Sequence, residues 1–135
     1  MSLLVVGSVA FDGIESPYGK EDRIIGGAAT YFALSASYFT HVNLVGIVGD
    51  DFTATDEKIF HGRRIDTTGL ERATGKCFFW AGRYSENLNE RVTLTTELNV
   101  FADFNPKLPS SYLDAPYLLM GNIQPRQLLS ERYSR

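Results

Sequence analysis

Few residues of this 135-residue chain stand where their types and spacing could do chemistry, and those that do are suited to holding a ligand. Asp12 lies shortly after Gly7, where a first apolar run, Leu3-Leu4-Val5-Val6, ends. Ligands of open α/β sheets bind at the carboxyl edge of the strands, and a carboxylate there can accept hydrogen bonds. An aspartate before Gly13 is equally an ordinary turn pairing. Gly26-Gly27 opens directly into Ala28 to Phe39, a stretch without a single charge. Two residues without Cβ let backbone amides approach a ligand closely, and they also suit a strand-to-helix turn at positive φ. Asn99, polar at the end of an extended run, is a candidate hydroxyl binder. Phe78-Phe79-Trp80 with Arg83 and Tyr84, and Glu97 to Phe101, could supply lid or wall contacts.

Other chemistries lack their residues. Gly19-Lys20 is followed by Glu21 and Gly75-Lys76 by Cys77, so neither belongs to a Walker-type phosphate loop. The first strand carries only Gly7, so the dinucleotide fingerprint is missing, and there is no G-x-S-x-G elbow. His41 and His61 stand far apart with one distant cysteine, which argues against a metal site. Cys77, the only cysteine, cannot form an internal disulfide and reads as a small buried hydrophobe.

The elements that must position these residues can be read from apolar runs and punctuation. Leu3 to Val6, Val42 to Val48 and Tyr117 to Met120 are short runs suited to inner strands of a mostly parallel sheet. Ala28 to Phe39, apolar or small on every side, predicts a helix buried on every side. Asp12 to Ile25 has the Pro and Gly punctuation of a hairpin, and Lys76 to Tyr84 and Val92 to Thr96 flank a polar loop as two antiparallel strands. A second helix is expected from Thr53, capped by its hydroxyl, with Asp56 and Glu57 in the first turn and Gly62 as the stop. Pro125 fits the first turn of a last helix.

A net charge of −3 with no basic stripe argues against nucleic acid as a partner. No signal peptide or run of about 18 apolar residues is present, so no membrane contact is expected and the chain reads as cytoplasmic. Its 44% hydrophobic and 21% charged residues fit one globular unit spanning residues 1–135.

The order strand, double-glycine turn, uncharged helix, strand, then Val48-Gly49-Asp50-Asp51-Phe52 resembles the ribokinase (PfkB-type) family of carbohydrate and nucleoside kinases. Gly7 through Asp12, the Gly26-Gly27 pair and Ile65-Asp66-Thr67-Thr68-Gly69, which looks like the family's connection after its second helix, carry the likeness over nearly the whole chain. The resemblance implies an α/β fold with a small β lid over the sugar site, formed by segments near 12–25 and 75–98. It implies transfer of the ATP γ-phosphoryl group to a sugar or nucleoside hydroxyl with Mg2+. Asp12 would accept hydrogen bonds from two substrate hydroxyls, and Gly26 and Gly27 would lie against the sugar with amides exposed. Four residues after the second glycine many members place an asparagine; here Tyr31 stands, with one hydroxyl and a ring that can stack on or exclude a ligand, or join the core.

In that family the catalytic aspartate follows a glycine-rich segment near the far C-terminus. Gly49-Asp50 follows the second main strand and is not that base. The resemblance therefore implies the N-terminal, substrate-binding half of such a kinase, with no catalytic residue, no strong binding of ATP or Mg2+ and no activity alone. The alternative is a non-catalytic sugar-binding or dimerising module, pairing through the β lid or an exposed sheet surface.

Overall fold

The computed structural model describes residues 1–124. The helix expected from Pro125 lies outside them.

Apolar runs build a four-stranded, wholly parallel sheet in the order β5-β4-β1-β8, whose two inner strands are buried at consecutive positions. Its strands are β1 (Ser2–Gly7), β4 (His41–Val48), β5 (Ile65–Arg72) and β8 (Tyr117–Gly121). Side chains of successive strand residues point to opposite faces, so each strand feeds two cores. Val5, Val42 and Leu44 turn toward α1 (Ala28–Ala36), while Leu4, Val6, Val45 and Ile47 pack with Phe104, Tyr112 and Ala115 on the other face. No helix is long and apolar enough to cross a membrane among the described residues.

A second sheet, ordered β3-β2-β6-β7, is built from the segments expected to form the lid. The hairpin β2 (Ala10–Ser16) and β3 (Gly19–Gly26) is antiparallel, as is the pair β6 (Phe78–Tyr84) and β7 (Arg91–Glu97). Strands β2 and β6 join the hairpins in parallel. The expected lid segments are thus both strand pairs of one sheet.

Helix α1 corrects one expectation. It ends at Ala36, short of Phe39, and is buried on one side only. Ala29, Thr30 and Ala33, small and on one face, allow close approach to the sheet, while Tyr31 is 52% and Phe39 86% exposed. Absence of charge does not mean burial on every side, because the fully buried stripe is made of small residues, with Leu34 packed beside it. Ile65 to Gly69 is likewise no mere connection, since it opens edge strand β5. Gly69 is required there: a Cβ would stand 2.6 Å from both the Leu44 carbonyl oxygen and the Tyr112 ring.

Thr53 caps α2 (Ala54–Glu57) in a reciprocal box with Asp56, and Gly62 at φ 71 follows the next turn. The carboxylates of the Gly49-Asp50-Asp51 turn face the root of the lid. Asp50 Oδ2 accepts from the Gly75 amide at 2.9 Å and Asp51 Oδ1 from the Cys77 amide at 2.8 Å. Both are engaged in holding β6 to the end of β4.

Candidate functional site

The site starts where β1 runs out. Ser8 is fully buried; its Oγ accepts from the Ala28 amide and its carbonyl from the Ala29 amide, each at 2.9 Å. These bonds tie the start of α1 to the carboxyl edge of the parallel sheet and occupy two amides that a helix N-terminus would otherwise leave open. Gly27 makes the junction at φ 97 and ψ 147, and a Cβ there would collide with the Ser8 carbonyl. Its glycine is therefore explained by the turn itself.

Gly26 serves differently. It closes β3 opposite Ala10, and a Cβ on it would run into the Asp12 carboxylate. Asp12, on β2 between Ile24 and Trp80, thus rests its side chain on bare glycine backbone. Half-buried, the carboxyl is pushed above its usual pKa by burial, and it has no hydrogen-bond or ion-pair partner among the described residues. A desolvated carboxylate without partners has unused acceptor capacity.

Asp12, Gly27 and Tyr31 line one cleft of about 590 Å3 between the carboxyl edge of the parallel sheet and the inner face of the lid. That size suits a small-molecule site. The lid side contributes Phe78, Trp80, Tyr84 and Arg91, and the sheet side contributes Ser8 and Asn122. Trp80 and Tyr84 meet edge to face at 6.5 Å, and the Arg91 guanidinium lies 5.3 Å from the Trp80 ring centre. Trp80 Nε1 donates to Thr93 Oγ1 at 3.3 Å, fixing the indole on the lid.

The sequence-derived candidates are not all brought together. Tyr31 stands in the cleft wall, outside the core. Gly26 acts beneath Asp12. Asn99 lies apart: at φ 50 it donates from Nδ2 to the Cys77 carbonyl at 2.9 Å and lines a separate concavity of about 420 Å3 with Phe11, Arg23 and Asp51. Arg83 pairs with Glu15 at 3.3 Å, on the opposite face of the lid from Trp80, as strand alternation requires. Sequence reasoning passed over Ser8, Arg91 and Asn122 as site residues. For Asn122 the available signal was its position just after a strand that pairs with β1, which brings it to the same sheet edge as Ser8.

No family model and no curated protein sequence matches this chain. Solved structures do. A Methanocaldococcus jannaschii nucleoside kinase, an archaeal member of the ribokinase family, superposes with a TM-score of 0.72 at 16% identity, over 95% of this chain and 46% of that one. A Burkholderia thailandensis nucleoside kinase in complex with inosine gives 0.71 at 14% identity, over 90% and 45%. A Cryptococcus neoformans ribokinase in complex with ADP gives 0.69 at 19% identity, over 98% and 44%. The chain therefore has a ribokinase-like α/β fold and fits the N-terminal half of it. It spans just under half the length of these neighbours.

Proposed function

We propose that this chain is the substrate-binding portion of an ATP-dependent kinase acting on a hydroxyl of a sugar or nucleoside, with Asp12 as the residue that holds substrate hydroxyls. The observation that carries this reading is a half-buried carboxylate without partners, seated on Gly26 and opening into a cleft at the carboxyl edge of a parallel sheet. An ionised carboxylate accepts from two hydroxyls of one diol, and hydrogen bonds to a charged group are about twice as strong as neutral ones. Gly27 brings backbone close to the ligand, and Tyr31 supplies a wall and one hydroxyl. Asn99, bonded to the Cys77 carbonyl, acts at one remove by holding the end of β7 to the root of β6.

The cleft lining does not offer Mg2+ a cluster of ligands. Among the described residues no three of His, Cys, Asp and Glu stand together to hold a metal ion, and Asp12 is the single carboxylate of the cleft. In this reading the cleft residues bind and orient the acceptor hydroxyl, while the base and the nucleotide site belong to the other half of the kinase fold.

Calorimetric titration with a panel of pentoses, hexoses and nucleosides tests the reading. Asp12→Ala is expected to weaken binding of the preferred diol by about 1.5–3 kcal/mol. Unchanged affinity would remove Asp12 from the site.

A second reading, a non-catalytic module that dimerises through its lid, is favoured by β7, exposed at every position with Val92 at 63% and Leu94 at 45%. Sedimentation separates the two: a dimer broken by Val92→Lys supports the module, and a monomer excludes pairing through the lid.

A further inference from the structure

Resting on the diol reading, we infer that the cleft selects a substrate whose polyol carries a planar heteroaromatic ring, a nucleoside in preference to a free sugar. The lining is divided by chemistry. Toward the parallel sheet it offers Asp12, the Gly27 backbone and Asn122, while the lid side is a wall of Phe78, Trp80, Tyr84 and Phe101. Phe101 stacks on Phe78 at 5.3 Å and Trp80 meets Tyr84 edge to face at 6.5 Å, so two ring pairs make up much of this wall, beside Arg91 and Thr96. Tyr31 adds a further ring from α1, half exposed and therefore free to meet a ligand.

A free pentose or hexose presents hydroxyls around its whole rim, and those turned toward the ring faces would lose water for too few partners, a costly exchange. A nucleoside divides as the cleft divides. Its ribose diol reaches Asp12, and its base lies along the aromatic wall, where stacking on side-chain rings is favourable for any base. Arg91 fits this role. It lies over Trp80 and has no carboxylate partner among the described residues, which leaves its donors available to the heteroatoms of a base. The ring of Tyr31 then acts as a selector for the base.

Trp80 is the chain's only tryptophan, so its fluorescence reports directly on the wall. Adenosine, uridine, ribose and ribose 5-phosphate would be titrated into the purified chain, with calorimetry as the second readout. Adenosine and uridine are expected to quench Trp80 saturably and to bind at least tenfold more tightly than ribose. Arg91→Ala, at an exposed position and with its fold checked by circular dichroism, is expected to weaken nucleoside binding by roughly ten- to hundredfold while leaving ribose unchanged, and Tyr31→Ala to weaken nucleosides by a larger factor than ribose. Ribose or ribose 5-phosphate binding as tightly as adenosine would overturn the inference. If ribose binding nevertheless depended on Asp12, the diol reading would survive alone. Nucleoside binding indifferent to Asp12→Ala would instead remove the diol reading and keep the ring, and no binding by any probe would end both.

Discussion

Adjacent glycines with different duties should fail differently when each is replaced by alanine. Gly27 sits at φ 97 and ψ 147, in backbone territory essentially reserved for glycine, which costs another residue about 1–3 kcal/mol. Its new Cβ would also meet the Ser8 carbonyl and approach the Ala10 nitrogen to 2.9 Å, and both are fixed backbone. Relieving that contact displaces Ser8 from the Ala28 and Ala29 amides, two bonds worth about 0.5–1.5 kcal/mol each. Together the loss is about 2–6 kcal/mol, a large share of the roughly 5–15 kcal/mol that holds a domain folded. At Gly26 the obstacle is the Asp12 carboxylate, the end of a side chain that can swing away. Gly26→Ala should therefore cost about 1 kcal/mol or less in stability, yet displace the acceptor from the cleft and weaken diol binding. Urea unfolding followed by Trp80 fluorescence, paired with calorimetric titration, reads both quantities. A Gly27→Ala protein with the wild-type urea midpoint would refute the reasoning about the junction, and a Gly26→Ala protein with intact binding would refute it for Asp12.

Three further outcomes follow from the same geometry. Asp12 has its pKa raised by burial, so its folded form favours the protonated state and its contribution to stability is lost as pH rises through the folded value. Asp12→Asn should stabilise the chain at neutral pH, with the gain vanishing below about pH 4, as urea midpoints across pH would show. Asp66 behaves oppositely, because bonds from Thr68 and then the Tyr112 hydroxyl hold it below the usual carboxylate range; its contribution is present above the ordinary value and lost as pH falls through the folded one. Tyr112→Phe removes the hydroxyl that donates to Asp66 at 2.7 Å and accepts from the buried Gly69 amide at 3.0 Å, and should cost about 1–3 kcal/mol by chemical denaturation while blunting the acid sensitivity. Cys77, buried and pushed up to about 12 chiefly by that burial, should react with a disulfide reagent only as fast as the chain opens, which stopped-flow labelling against unfolding rates would check.

The parallel strands were legible because inner strands read as continuous apolar runs, and the lid because Pro, Gly and polar loops separate its β-branched and aromatic stretches. Strand β5 was not, since Ile65 to Arg72 lies at a sheet edge and mixes charge with apolar residues; its partner is set by position beside β4. The burial of α1 was overestimated for a related reason: uncharged Tyr31, Tyr38 and Phe39 carry no signal of the side they face. Within the site, Asp12 and Gly27 could be singled out because their residue types suit a sheet edge and a tight turn. Ser8, Arg91 and Asn122 come from three separate elements, and only tertiary structure places them around one cleft. Asn99 shows the converse, a suitable side chain at a strand end whose hydrogen bond is taken by the Cys77 carbonyl.

The most direct measurement is a crystal structure of this chain with adenosine bound. The expected result is both ribose hydroxyls of the diol within about 2.5–3.0 Å of the Asp12 carboxylate, with the base against Trp80. Adenosine bound away from Asp12, or a carboxylate turned out of the cleft in the complex, would contradict the central claim.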